Sequence, residues 1–303
     1  MEIKAELGKK IRGLRQQKEL TREAFCDDEV FLTVRQLARI EAGQSLPTLP
    51  KLTYISQKLS VPIHQLIDEK YVELPKKYLE LKYSICKIPT YDEAEQIKRK
   101  ERSFDEIYEV YYPNLPEEEQ LAIDVLQTSL DVHMSQNITF GQGIIDDYLL
   151  QIKLKEEYSI NDLLIIELYF GCIYYQGYEK EIFNKILYRV IEQANFIIDT
   201  DLFYIRKVLF AAASITLVQN EYHELKKVIQ VLKLIMKHTQ DFQQKPILSM
   251  IEGKYYLFAE NNSELAKEKY DDALVCAGIF ENDLLVRRIE AEWQSDYQQF
   301  RAE

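Results

Sequence analysis

Only 9 glycines and 8 prolines punctuate this chain of 303 residues. A strand-rich fold of that length needs many tight turns, and tight turns draw on those two residues. The long stretches between the breakers carry apolar residues at three- and four-residue spacing, the period of an amphipathic helix. Ile3, Leu7, Ile11 and Leu14 set this pattern in the first of them. The chain therefore reads as all-α, and its length predicts about two domains. No apolar run reaches the roughly 18 residues of a membrane span. The charged start MEIKAELGKKIRGLRQQ lacks the apolar stretch of a secretory signal, so the expected location is the cytoplasm.

Several kinds of chemistry lack their residues. Cys26, Cys86, Cys172 and Cys276 are scattered, with no C-x-x-C pair, and read as reduced thiols. His64, His133, His223 and His238 form no metal-binding pair, so neither a metal nor a cofactor is expected. TFGQGIID places Gly141 and Gly143 as in part of a dinucleotide fingerprint, but Asp146 stands where the third glycine belongs and no strand precedes it. No catalytic constellation emerges, and an enzyme is the least expected reading.

The charge is unevenly divided. The formal net charge is −12, yet Met1–Ile67 holds 11 basic and 8 acidic residues, a balance of +3. The remaining 27 basic and 42 acidic residues give −15. The first segment can meet phosphate, while the rest is repelled by it. Five short helices are predicted in that segment. Thr21 caps the second, and Thr33 caps the third, which Gly43 closes. Thr48 opens the fourth, and Pro62 lies in the first turn of the fifth. On the third helix Val34, Leu37 and Ile40 form an inward stripe, so Arg35, Gln36 and Arg39 are expected to face outward. Arginine reads guanine and glutamine reads adenine in the major groove. The helix starts at Thr21 and Thr33 suit phosphates, with Arg22 adding a side-chain contact.

Through IRGLRQQKELTREAF, LTVRQLARIEAGQSLPTLPKLTYISQKL and VPIHQLI, residues 1–68 resemble the Xre/Cro-type helix-turn-helix family. The resemblance implies that the third helix enters the major groove, and it adds Ser45 to the DNA-binding set. It also implies that Glu41 is structural and pairs with Arg15. The link CDDEVFL departs from the family: it lacks the usual turn glycine and carries three acids beside the reading helix.

Residues 69–90 are predicted to be a linker and bridging helix. Residues 91–303 are predicted to repeat a helix-turn-helix unit, with helices beginning near Tyr91, Pro116, Phe140, Asn161, Glu179, Thr200, Tyr222, Gln244, Ser263 and Asn282. Helical pairs at a period of about 35 to 45 residues predict a right-handed solenoid. The clearest unit carries Ala266, Tyr270 and Ala273 in the A-x3-F-x2-A pattern of a tetratricopeptide repeat, preceded by Gly253 and Tyr256. Such a solenoid offers a concave face to an extended peptide. ELYFGCIYYQGY and DLFYIRKVLF are dense in aromatics; most are expected in inter-helix packing, with Tyr174 and Arg206 as peptide-binding candidates. Lys98, Arg99 and Lys100 are basic candidates for a peptide carboxylate.

Together the two halves resemble the RNPP superfamily of cytosolic peptide-sensing transcription regulators, and within it the Rgg-like competence activators. The resemblance is carried further by KIPTYDEAEQIKRK, LPEEEQLAIDVL and SINDLLII. It implies that a short, imported, hydrophobic peptide pheromone binds the solenoid. The protein then dimerises, with the last helices near Trp293 as the expected interface, and binds an inverted repeat in promoter DNA. A peptide-modulated repressor and a protein-docking adaptor are the rival readings. Glu117, Glu118 and Glu119, at a helix start, are candidates for an autoinhibitory contact with Arg35 or Arg39, released when peptide shifts the population. Without that contact, they are simply acids favoured at a helix N-terminus.

Overall fold

The structure, a computed structural model, describes residues 2–66, 74–88, 94–195 and 199–302. The chain divides into two compact units, residues 1–155 and 156–303. Both ends of the expected linker, at 68/69 and 90/91, lie outside the described residues, as does the helix start expected near Tyr91. Among the described residues there is no strand, only a parallel bridge between Leu46 and Pro116.

The first unit opens with α1 (Glu2–Gln17), α2 (Arg22–Cys26), α3 (Val34–Glu41), α4 (Leu49–Leu59) and α5 (Ile63–Leu66). The predicted stripes meet here: Leu7, Ile11, Phe25, Leu37, Ile40, Leu52 and Ile55 form one buried core. Gly43 ends α3 with φ +69°, and a Cβ there would also lie 2.8 Å from the Ala5 Cα. Both its left-handed backbone and the approach of α1 therefore require glycine.

The same unit continues with α6 (Lys76–Lys87), α7 (Ala94–Glu106), α8 (Glu117–Ser135) and α9 (Thr139–Leu154). Between α7 and α8 the chain widens into a π-helical turn, Ile107–Tyr111, then a 3-10 turn, Tyr112–Asn114. Tyr108 and Tyr112 donate to the two carboxylate oxygens of Asp124 on α8, at 3.2 and 2.7 Å. The Gln120 side-chain amide donates to the Tyr112 carbonyl at 2.8 Å. These bonds fix the first turns of α8, which carry the acids considered below.

The second unit holds α10 (Ile160–Tyr175), α11 (Lys180–Gln193), α12 (Asp199–Val218), α13 (Tyr222–Thr239), α14 (Lys245–Phe258), α15 (Ser263–Ile279) and α16 (Asp283–Ala302). Every helix start predicted after residue 110 falls within two residues of the observed one. The repeat motif lies on the α14–α15 pair. Ala266, Tyr270 and Ala273 are fully buried, and a Cβ on Gly253 would sit 2.6 Å from the Tyr270 ring. Trp293 of α16 packs on Tyr270 at 5.0 Å and on Tyr297 at 5.1 Å, the contacts of a capping helix. Tyr270 also donates its hydroxyl to buried Asp296, which Lys254 pairs at 2.6 Å. With its ring held at both ends, Tyr270 has little room to yield. G253A is therefore expected to destabilise the protein by about 1–3 kcal/mol, the usual penalty for overpacking. Thermal unfolding followed by circular dichroism checks this, and an unchanged midpoint would contradict it.

The cysteines are free. Burial pushes the Cys26 thiol up to about 12 and the Cys172 thiol to about 11, which leaves both unreactive at neutral pH. Among the described residues no acid, histidine and cysteine group is arranged to hold a metal. No helix among them is long and apolar enough to cross a membrane.

Candidate nucleic-acid interface

α3 starts in a reciprocal cap. The Gln36 N–H donates to the Thr33 hydroxyl and the Thr33 N–H donates to the Gln36 side-chain oxygen, both at 3.1 Å. Lacking glycine, the preceding link places Asp27 (φ 50°) and Glu29 (φ 59°) in the left-handed region. The Glu29 carboxylate accepts from the Val34 N–H at 3.0 Å, so an acid of the link sits at the positive end of α3. At the other end, Glu41 is buried and takes Arg15 at 2.6 Å and Arg22 at 2.8 Å. Burial raises the Glu41 pKa, but the bonds from Arg15 and Arg22 outweigh it and hold the carboxyl below its ordinary value. The expected Arg15–Glu41 pair is present. Arg22, read as a phosphate contact, is held by Glu41 in this structure.

The outward face of α3 meets α8 and α9. Arg35, its side chain 62% exposed, forms an ion pair with Asp147 of α9. Arg39 lies 3.6 Å from Glu117 and donates to the Gln120 side-chain oxygen at 3.2 Å. Gln36 corrects the sequence reading: it does not face solvent but is 3% exposed, closing the cap and meeting the Tyr148 hydroxyl of α9. At N3 a glutamine serves the helix start more directly than the helix surface. Ser45 is buried as well, and its hydroxyl has no partner. Gln151 of α9 donates to the Glu29 and Val30 carbonyls of the link, the latter at 2.8 Å.

The three acids at the start of α8 separate by direction. Glu117 is fully buried between Arg39 and Lys51, the latter at 3.5 Å, and neither of its carboxylate oxygens makes a hydrogen bond. Burial raises its pKa, more than Lys51 and Arg39 lower it. Its N–H donates to the Leu46 carbonyl at 2.7 Å. Glu118 reaches Lys51 at 3.2 Å and accepts from the Thr48 hydroxyl at 2.8 Å. Glu119 turns away from α3, to Lys82 at 2.7 Å and Tyr78 on α6. It faces α6 because helical geometry puts successive residues on different sides. Asp147, Gln120, Tyr148 and Lys51 were missed in the sequence. Each is an ordinary polar residue on a helix, and only tertiary packing brings it to α3.

The peptide-binding candidates lie in separate units. Lys98 and Arg99 are exposed on α7, with Lys100 half-buried beside them. Tyr174 is 44% exposed on α10, edge-on to Tyr175. Arg206 on α12 is buried, paired with Asp241 at 2.8 Å and lying over the Phe203 ring. As a candidate for an incoming carboxylate it is already neutralised, although its Nε is buried without a partner. Tyr169, Phe170 and Phe183 are buried, which is the packing role expected of most aromatics here.

Residues 75–293 match the model of the ComR tetratricopeptide family. ComR from Streptococcus suis is 38% identical, covering 97% of this chain and 96% of its own, with a TM-score of 0.80. The apo form of ComR from S. thermophilus is 32% identical over 97% of this chain and 99% of its own, with a TM-score of 0.86. The S. thermophilus protein solved in complex with DNA and its signalling peptide ComS is 33% identical, covering 96% and 99%, with a TM-score of 0.68. No curated protein matches the chain by sequence.

Proposed function

The chain belongs to the ComR family, and on that premise we propose that it is a cytoplasmic, peptide-sensing activator of transcription at competence promoters. α3 reads promoter DNA, the tetratricopeptide-like unit takes a short hydrophobic peptide, and the peptide-bound protein dimerises on an inverted repeat. It acts as a regulator rather than an enzyme. The observation that carries this reading is the state of α3: both of its outward arginines are engaged by α8 and α9, Arg35 by Asp147 and Arg39 by Glu117 and Gln120. An exposed reading helix needs no such cover, whereas a switchable one does. The closer likeness to the apo form than to the DNA- and peptide-bound form, at nearly equal identity, supports a resting state. Peptide then shifts the population toward an uncovered helix by binding that state more tightly.

A gel shift on a competence promoter fragment tests the reading, run with and without a short synthetic peptide bearing C-terminal tryptophans. Binding that depends on peptide is the expected result. Equal binding in both lanes would remove the switch while leaving the DNA reader. Absence of binding in both would overturn the assignment of the target.

A further inference from the structure

We propose that Thr48 and Lys51, at the start of α4, form a DNA-phosphate site that the Glu118 carboxylate fills as a stand-in while α3 is covered. The inference rests on the DNA-reading role proposed above and adds two residues to it. Thr48 is the N-cap of an 11-residue helix, with the extended backbone of that position. Such a hydroxyl ordinarily accepts from an amide of its own first turn. Thr48 makes no cap bond of this kind, and Pro50 supplies no N–H at the second helical position. Its hydroxyl instead donates to Glu118 Oε2 at 2.8 Å. The other oxygen, Oε1, lies 3.2 Å from Lys51 Nζ.

One anion thus meets a hydroxyl and an ammonium through its two oxygens, at the positive end of a helix. A phosphodiester presents the same demand: two non-bridging oxygens sharing one negative charge. The neighbouring geometry continues the match. Lys51 also faces Glu117, which in turn faces Arg39 of the reading helix. The donors Thr48, Lys51 and Arg39 therefore form a continuous edge from α4 to α3, and two consecutive acids of α8 cover it. Lys51 has a side chain only 6% exposed, enclosed by these acids. On this assignment, α8 and the DNA backbone compete for the same donor atoms. Cover and DNA then exclude each other chemically as well as by bulk.

The test uses the full-length E117Q/E118Q protein, in which Lys51 has no carboxylate left to hold, and a mixed-sequence DNA duplex of thirty or so base pairs. Affinity is measured by fluorescence anisotropy across salt concentrations. Adding K51Q is expected to weaken binding several-fold and to lower the slope of log affinity against log salt by about 0.9, the value for one lost phosphate contact. K51R should keep the slope, and T48V should weaken binding while leaving the slope unchanged, since the hydroxyl is neutral. An unaltered slope and affinity in K51Q, with circular dichroism matching the parent, would overturn the proposal and leave Lys51 as a residue of the cover alone. Failure of E117Q/E118Q itself to bind any duplex would instead remove the DNA-reading role, and this site with it.

Discussion

The E117Q/E118Q protein is expected to bind promoter DNA without peptide about tenfold more tightly than the parent. The estimate follows from what the two substitutions leave behind. Lys51 is almost fully buried and has two carboxylates, Glu117 and Glu118. Removing both strands an ammonium in a desolvated position, and breaking a buried pair in this way costs about 3–5 kcal/mol. Part of that is recovered, because the desolvation of the Glu117 carboxylate disappears and Lys51 can turn toward water. A remaining cost of about 1.4 kcal/mol to the covered state corresponds to the tenfold figure. Anisotropy titrations of both proteins, without peptide, decide the matter. Equal affinities would show that the acids of α8 do not hold α3.

The single E117Q substitution should act differently. Burial raises the Glu117 pKa in the covered state despite Lys51 and Arg39. A raised pKa means that covering favours the protonated form. The contribution of this group to the covered state therefore grows as pH falls through the raised value and shrinks as pH rises above it. A neutral glutamine imitates the protonated acid, so E117Q alone should leave α3 covered, and E118Q should account for most of the release. The ordering distinguishes a cover held by Glu118, Lys51 and Thr48 from one held by the most buried acid.

Much of this architecture is legible in the sequence because it is local. Helix starts follow from caps and apolar periods, as Thr21, Thr33 and Ser159 show, each accepting from an amide of its own helix. The repeat on α14 and α15 is legible because Gly253 and Tyr270 must fit one another. The candidate site is legible only in part. Arg35 and Arg39 are visible as cations on the polar face of a short helix, and the acids at 117–119 as a charged helix start. Their pairing is not visible, because Arg35 and Asp147 are 112 positions apart and nothing local marks either one. Gln36 shows the reverse difficulty: its position on the helical wheel suggests exposure, while its position at N3 commits it to the cap. Nor does sequence distinguish Glu119 from its two neighbours. A turn of one residue sends it to Lys82, and the path of α6 decides that.

Within the helix-turn-helix, E41Q is expected to cost about 3–5 kcal/mol, a large share of the 5–15 kcal/mol that holds a typical domain together. Glu41 has a side chain 1% exposed, and Arg15 has one only 8% exposed. Two bonds join them, at 2.6 and 3.1 Å, and Arg15 reaches otherwise to the Leu20 carbonyl at 2.5 Å. Neutralising Glu41 leaves the guanidinium buried against one carbonyl, while the more exposed Arg22 can turn to solvent. Because the pair ties α1 to the end of α3, DNA binding should fall with it, whether peptide is present or not. That separates E41Q from E117Q/E118Q, which raises peptide-free binding. The pH dependence carries a second signature. Arg15 and Arg22 hold the folded pKa of Glu41 below its model value of 4.5. The stabilisation is therefore present above that pH and is lost as pH falls through the lower folded value. Urea unfolding at pH 7 and at pH 3 should show the gap between parent and E41Q narrowing in acid. The double variant R15M/E41L removes both charges and should recover much of the loss, since an apolar pair in the same volume has no desolvation to offset. A midpoint for E41Q equal to that of the parent at pH 7 would mean that the Leu20 carbonyl and water suffice for Arg15, and that the pair fixes the orientation of α3 without stabilising it.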